Sequence, residues 1–190
     1  MQRVYRASCL AAALVLLAAS AWATTAVRLS KSDLTAEADL IVIGRGVESR
    51  SAWVGRVLVT QVTVSVTESL KGSARDTITV VLPGGIDANR KFPISMSYPG
   101  APAIRSDEDV FLFLGRDDEL NGYTVLGFSQ GKFSIVEDPQ GNKLVTRDLT
   151  GVRLQSGSGV VRGAVSHRSL PEFRSEIESY LAEQPEGRRK

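Results

Sequence analysis

The chain is poor in the side chains that bind transition metals. Its 190 residues include one cysteine, Cys9, and one histidine, His167. Zinc sites draw on cysteine, histidine and carboxylate ligands, and two of these three types are almost absent here. The acidic clusters at 107–109 and 117–119 lack the regular spacing of oxygen ligands in a calcium loop. The composition therefore predicts no metal and no other cofactor, and His167 is interpreted as a surface histidine.

The sequence also lacks an excess of positive charge. It has 23 lysines and arginines against 21 aspartates and glutamates, and removal of the first 23 residues would take away Arg3 and Arg6 and leave 21 of each sign. Proteins that bind nucleic acids through phosphates normally carry a surplus of basic residues. The aromatic residues on which single strands stack make up 6% of the chain. No nucleic acid is therefore predicted as a partner.

The first 23 residues have the pattern of an export signal. Arg3 and Arg6 give a positively charged start, residues 9–19 are an unbroken apolar run, and residues 21–23 (Ala-Trp-Ala) form a small-residue cleavage site. The apolar run is shorter than the roughly 18 residues that a membrane-spanning helix needs. We predict cleavage after Ala23, a periplasmic or extracellular location and no stable membrane anchor after cleavage. The mature protein would contain no cysteine and would be stabilised by packing rather than by disulfides.

The remainder of the chain is predicted to be mainly β. Residues 38–72 are interpreted as two long strands joined by a connection at 49–55. Eight of the eleven residues at 57–67 are valine or threonine, the β-branched types that favour strands. Seven strands at short spacing indicate a sandwich or a barrel. The further strands are predicted at 76–82, 109–115, 123–128, 132–137 and 143–147.

The second of the two long strands has an irregular apolar pattern. From Gln61 onward, valines alternate with polar residues, which is typical of a half-buried strand. Val57 and Val59 fall on the opposite phase. Either a bulge near Thr60 and Gln61 or a strand that bends around a barrel would account for the change.

Glycine, proline and serine mark the segments between and after the strands. Residues 86–107 contain several prolines and no period, which predicts a functional loop or one that wraps the barrel. Ser30 with Asp33, and Ser169 with Glu172, are predicted capping boxes of a short helical turn and of a C-terminal helix. The predicted organisation is a signal peptide (1–23), a barrel domain (24–148), a Gly/Ser-rich flexible crossing (149–168), a helix (169–184) and a frayed tail (185–190).

One motif indicates a hydrolase by its letters. The residues around Ser129 fit G-x-S-x-G, the nucleophile motif of α/β-hydrolases. Asp138 or Asp148 and then His167 follow in the order of that triad. The nucleophile turn of such an enzyme leads into a helix, whereas residues 132–136 are predicted to continue as a strand. We therefore predict a non-catalytic protein, with a serine hydrolase that uses Ser129 as one alternative.

The strand-forming segments follow one another in a distinctive order: ADLIVIGRGVE, VTVSVTESLKG, DTITVVLPGG, DVFLFLGR and NGYTVLGFSQGKF. This order, over residues 30–133, resembles the netrin-like domain, the OB-fold module of tissue inhibitors of metalloproteinases. It is also similar to exported bacterial proteins of uncharacterised function that are associated with matrixin-type metalloproteases. The resemblance implies a mainly β fold, a small OB-like Greek-key β-barrel with extra C-terminal hairpin strands and a C-terminal helix.

The same resemblance implies that the protein binds another protein. A co-exported zinc metalloprotease is the implied partner, with the present chain as inhibitor or accessory. The inhibitors chelate the protease zinc through an N-terminal cysteine, whereas the mature terminus expected here is Thr24, so no inhibitory residue is carried over. Thr24, Thr25, Trp53 and Tyr98 are the predicted partner-binding residues. The alternative is a structural envelope protein without enzymatic activity.

Overall fold

The computed structural model of the protein describes residues 24–150, 152–156 and 159–184. The predicted signal peptide at 1–23 and the predicted tail at 185–190 lie outside the described residues. In the part that is described, two helices and thirteen strands make the fold mainly β, as predicted. Within the same ranges, no helix combines the length and the apolar character needed to span a membrane.

The secondary structure begins with a strand and ends with a helix. The helices are α1 (Lys31–Glu37) and α2 (Leu170–Glu183). The strands are β1 (Thr24–Val27), β2 (Leu40–Val54), β3 (Val57–Lys71), β4 (Thr77–Pro83), β5 (Gly85–Asp87), β6 (Ile94–Met96), β7 (Asp109–Asp117), β8 (Gly122–Val125), β9 (Lys132–Glu137), β10 (Lys143–Asp148), β11 (Val152–Ser156), β12 (Gly159–Arg162) and β13 (Val165–Ser169).

Five strands close into a barrel. β2 pairs antiparallel with both β3 and β7, and β3 pairs antiparallel with β4. β4 then pairs parallel with β8, which returns antiparallel to β7 and completes the ring. This arrangement is the small β-barrel predicted from the sequence. Its interior is filled by alternating apolar side chains: Leu40, Val42, Val62, Val64, Ile78, Val80, Leu82, Ile104, Val110, Leu112, Leu114 and Val125.

The sheet extends beyond the barrel through β9, β10 and β13, and both helices pack against this extension. Strand β7 belongs to both parts, with Leu112 in the barrel core and Phe111 and Phe113 in a second core against α2. The rings of Phe111 and Phe173 meet edge to face with centroids 5.0 Å apart. Because both faces of β7 are covered, its residues from 110 to 114 are all fully buried, which explains the continuous apolar run.

The two predicted capping boxes have different outcomes. At α1, the Ser30 hydroxyl accepts a hydrogen bond from the Asp33 backbone N–H at 3.0 Å, and the Asp33 carboxylate accepts one from the Ser30 backbone N–H at 2.9 Å, so this prediction is confirmed. At α2, the Ser169 side chain makes no capping hydrogen bond, and the predicted box is wrong. Pro171 lies in the first turn of α2 and has no N–H to be capped.

The connection predicted at 49–55 is wrong, because β2 continues through it to Val54. Residues 49–54 pair in unbroken register with residues 57–62 of β3, and only Gly55 and Arg56 form the turn. Gly55 adopts a φ of 58°, a conformation that favours glycine. The polar composition that suggested a loop reflects the exposure of residues 49–54 of β2, most of which are exposed.

The bulge predicted near Thr60 and Gln61 is also wrong. Both residues keep continuous register with β2 and with β4. The irregularities lie farther along β2, between residues 41 and 48. One of them brings Gly44 so close to β3 that an added Cβ would lie 2.4 Å from the carbonyl oxygen of Ser65. Of the two explanations, the strand in the wall of a barrel remains, because β3 pairs with both β2 and β4 of the barrel.

The secondary structure of three segments differs from the prediction. The flexible crossing predicted at 149–168 contains β11, β12 and β13, and the stretch 86–107 contains the β5–β6 hairpin. The strand predicted at 123–128 ends at Val125 and is followed by a turn. The crossing was misread because β11 pairs with β1, whose residues lie at the opposite end of the chain, so no local pattern reports the pairing.

Candidate functional site

Four exposed apolar side chains lie on β2, on the neighbouring β5–β6 hairpin and on the segment that follows it. Trp53 is at the end of β2, Ile86 is on β5, Phe92 is in the turn between β5 and β6, and Tyr98 follows β6. Their exposed fractions are 37%, 62%, 75% and 39%. We call these four residues the aromatic tip. Among the residues predicted from the sequence, Trp53 and Tyr98 belong to it.

Hydrogen bonds attach the β5–β6 hairpin to β2. The backbone N–H of Ile86 donates to the Ser51 hydroxyl at 2.9 Å, and Nε1 of Trp53 donates to the Asp87 carboxylate at 2.7 Å. Arg90 also donates to Asp87, at 2.8 Å, and its guanidinium lies 5.1 Å from the centre of the Trp53 ring. The bonds from Trp53 and Arg90 lower the pKa of Asp87, which keeps its carboxylate charged. The tryptophan is thus held in place with part of its ring exposed.

An apolar groove of about 480 Å³ lies beside the turn between β2 and β3, and its lining includes Leu82 and Val125 of the barrel core. Val57 and Val59 line it together with Val81, and their side chains project from the opposite face of the sheet to the barrel core. These valines therefore have the opposite phase because they line a surface feature. We define the apolar groove by Val54, Val57, Val59, Val81, Leu120 and Phe128.

The turn that carries Phe128 has an unusual backbone. Phe128 adopts a φ of 67°, which is rare for a bulky side chain, and Gly127 before it adopts a φ of 61°. Gln130 supports the turn, because its side-chain amide donates to the carbonyl oxygens of Val27 at 2.7 Å and Gly127 at 3.2 Å. The side-chain oxygen of Gln130 accepts from the Leu29 backbone N–H at 2.9 Å. The N-terminal segment therefore supports a turn that lines the groove.

A polar cavity of about 320 Å³ lies next to the apolar groove, with which it shares Pro102, and residues 100–103 form part of its wall. At its wall, the Lys132 ammonium forms an ion pair with Glu108 and donates to the Ser134 hydroxyl at 2.8 Å. Ser134 donates to the same Glu108 oxygen at 2.7 Å, and the other Glu108 oxygen accepts from the Arg105 backbone N–H at 2.8 Å. Partial burial alone would raise the pKa of Glu108, but these hydrogen bonds outweigh burial and lower it, so the carboxylate is charged.

Ser129 lines the same polar cavity but has no catalytic partner there. The residue is 7% exposed, and its hydroxyl makes no hydrogen bond with the described residues. Asp148 also lines the cavity and accepts from the Thr150 backbone N–H at 2.8 Å, whereas Asp138 holds its own turn through Asn142. His167 is exposed on β13, opposite Thr146 of the cavity wall, and makes no hydrogen bond to the Ser129 hydroxyl. The residues of the hydrolase motif are therefore not assembled as a triad, and a strand follows the turn in place of a helix.

The two predicted N-terminal contact residues lie elsewhere. Thr24 and Thr25 belong to β1, which pairs parallel with Val152 and Arg153 of β11 in a separate three-stranded sheet. Their backbone is thus part of a sheet, whereas the aromatic tip lies on the β2–β3 and β5–β6 hairpins. The structure brings Trp53 and Tyr98 to neighbouring segments and does not bring the threonines to them.

Sequence reasoning missed Ile86 and Phe92, the most exposed members of the aromatic tip. The sequence did contain a signal for them. Both lie in a polar, proline-bearing stretch without the alternating or helical pattern that is typical of buried residues, so their exposure could have been predicted. Across the described ranges, no group of three or more His, Cys, Asp or Glu side chains is placed to hold a metal ion.

No family model, no curated protein and no solved structure matches this chain. The chemistry of the site is therefore interpreted from the residues that form it. Two surfaces are considered for binding. The aromatic tip with the apolar groove is apolar, and the cavity is polar.

Proposed function

We propose that the chain is an exported, non-catalytic β-barrel that binds another protein through the aromatic tip. The observation that carries this proposal is the group of large apolar side chains exposed on the two hairpins. Exposed apolar patches on soluble domains often mark interaction sites, and tryptophan, tyrosine and phenylalanine are enriched in protein interfaces. The apolar groove, beside the β2–β3 turn, adds a depression that an apolar side chain of the partner would fill.

The tip has features of a preorganised contact surface. Trp53 is fixed by its hydrogen bond to Asp87 and by the Arg90 guanidinium over its ring. A side chain that is already held in one orientation loses less conformational freedom when a partner binds. Asp87 and Arg90 also place charged groups next to the tryptophan. This matches the usual arrangement of a protein interface, with an apolar centre and a polar rim.

The partner class in this proposal is a co-exported zinc metalloprotease, with the chain as its inhibitor or accessory. This narrower part rests on the strand order that resembles the netrin-like domain. Because the backbone of Thr24 and Thr25 pairs with β11, the proposal places the contact on the aromatic tip and requires no metal chelation by the N-terminus. A structural envelope protein would have the same export signal but would bind no such partner.

The test measures binding of the purified protein to a matrixin-type zinc metalloprotease exported by the same cell, together with peptide cleavage by that protease. Phe92→Ser and Ile86→Ser should each weaken binding by about tenfold or more, because central apolar contacts contribute most of an interface's free energy. Val136→Ser is the matched control, since Val136 is an exposed apolar residue on β9, outside the tip.

Two results would contradict the proposal. Absence of both binding and any change in protease activity would remove the metalloprotease as a partner. Binding that Val136→Ser weakens as much as Phe92→Ser does would move the interface away from the aromatic tip. Circular dichroism of each variant checks that the β-barrel is intact.

A further inference from the structure

The polar cavity has no role in the proposed protein contact, yet it has the size and the chemistry of a ligand site. Its volume of about 320 Å³ is that of a small-molecule pocket. It collects groups from separated parts of the chain, namely Arg105 and Glu108 before β7, Ser129 in the turn before β9, Lys132 on β9 and Asp148 on β10. A cleft lined by several polar side chains from different elements is a candidate for specific binding.

The Ser129 hydroxyl is the first observation that points to a ligand. Ser129 lines the cavity, its hydroxyl oxygen is buried, and that oxygen has no hydrogen-bond partner among the described residues. Buried polar atoms are nearly always hydrogen-bonded, because leaving one without a partner is costly. A ligand with a polar group in the cavity would supply the partner that the protein itself does not provide.

The arrangement of charge is the second observation. Glu108 and Lys132 neutralise each other, and both Glu108 oxygens already accept hydrogen bonds. Lys132 uses two of its three N–H groups, on Glu108 and Ser134, so one donor is left for a ligand. The other two charged groups of the wall are Arg105 and Asp148.

Arg105 and Asp148 have opposite charges but do not neutralise each other. Within the described part of the chain, neither is closer than 4.0 Å to an oppositely charged group. The hydrogen bonds from Thr150 lower the pKa of Asp148, so its carboxylate is charged. A purely anionic ligand would meet the uncompensated charge of Asp148, and a purely cationic one would meet that of Arg105.

We propose that the polar cavity binds a small zwitterion of the amino-acid type. The carboxylate of the ligand is bound by the Arg105 guanidinium and the remaining N–H of Lys132, and its ammonium group is bound by Asp148. The Ser129 hydroxyl donates a hydrogen bond to the ligand carboxylate. Guanidinium groups bind carboxylates well because their parallel N–H groups match the two carboxylate oxygens.

Isothermal titration calorimetry on the purified protein tests this proposal with probes that separate the two charges. The zwitterions are glycine, β-alanine, γ-aminobutyrate and 6-aminohexanoate, which differ in the distance between their charged ends. Butyrate and butylamine are the single-charge counterparts. We expect at least one zwitterion to bind about tenfold or more tightly than both single-charge probes, because each charge-assisted hydrogen bond adds to affinity.

Matched variants assign the binding to the cavity. Arg105→Gln and Asp148→Asn should each weaken binding of the best zwitterion by about tenfold. Arg75→Gln and Asp76→Asn, which change exposed residues outside the cavity wall, should leave binding unchanged. Equal affinity for the zwitterions, butyrate and butylamine, or binding that is insensitive to both cavity variants, would overturn the proposal, as would the absence of binding to every zwitterion.

Ser129→Ala separates a ligand contact from a structural role. Without ligand, the variant should melt at the same or a higher temperature than the wild type, because it removes a buried hydroxyl that has no partner. Its affinity for the zwitterion should nevertheless fall by about fivefold or more. A lower melting temperature together with unchanged affinity would contradict the proposed contact between Ser129 and the ligand.

Discussion

The apolar groove and the polar cavity both border on Pro102, yet they are built in different ways. Four valines from three consecutive strands, β2, β3 and β4, line one side of the groove, and the face of the sheet that each one occupies makes that side apolar. The cavity combines loop, turn and strand residues that are far apart in the sequence, and its character follows from individual charges and hydroxyls. The groove follows from the alternation of side chains along each strand, whereas the cavity follows from strand pairing that brings distant parts of the chain together.

This difference has a consequence for stability. Val57 at the rim of the groove is exposed and can be substituted without disturbing the core, whereas Val59 and Val81 of the same groove are buried. In the cavity, Glu108 and Lys132 are both mostly buried, and each depends on the other for neutralisation. Removal of either partner of the cavity ion pair should therefore lower the free energy of unfolding, while substitutions at the rim of the groove should affect binding alone.

The strongest test of this comparison is removal of one partner of the cavity ion pair. Lys132→Met keeps the length of the side chain but leaves the Glu108 carboxylate without its cation. We expect the free energy of unfolding to fall by about 3 kcal/mol, because a mostly buried charge is left unpaired. Urea denaturation measures the change. Lys143→Met, at an exposed lysine of β10, is the control and should change stability by less than about 0.5 kcal/mol.

The same difference between the groove and the cavity explains which parts of the molecule could be predicted from the sequence. Strand β3 was predictable because its valine and threonine content and its 2-residue alternation are local properties of the chain. The opposite-phase valines of β3 were visible too, although a groove rather than a bulge accounts for them. The polar cavity was not predictable, since Glu108, Ser129 and Asp148 become neighbours only through the pairing of β7, β9 and β10. The same limit applies to β11, whose partner β1 is at the other end of the chain.

A smaller effect is expected from the pH dependence of the same ion pair. The pKa of Glu108 is lowered in the folded protein, so its contribution to stability is complete above the ordinary glutamate pKa of about 4.3 and is lost as the pH falls through the lowered value. Glu108→Gln should cost about 2 kcal/mol at about pH 7 and less at about pH 3. Urea denaturation at both pH values gives the two differences. A constant difference would mean that Glu108 has an ordinary pKa in the folded state.

The smallest change in stability is expected in the groove. Val57 is about half exposed, and replacing it with aspartate places a charge at the rim without opening a cavity in the core. Val57→Asp should therefore alter the free energy of unfolding by less than about 0.5 kcal/mol, since most surface substitutions fall within that range. It should nevertheless weaken binding to a protein partner that inserts an apolar group into the groove, because that partner would then have to desolvate the carboxylate. Urea denaturation and a binding assay on the same preparation check the two halves of this prediction. A large loss of stability would show that the groove valines support the barrel as the cavity ion pair does, and the contrast between the two surfaces would then be wrong.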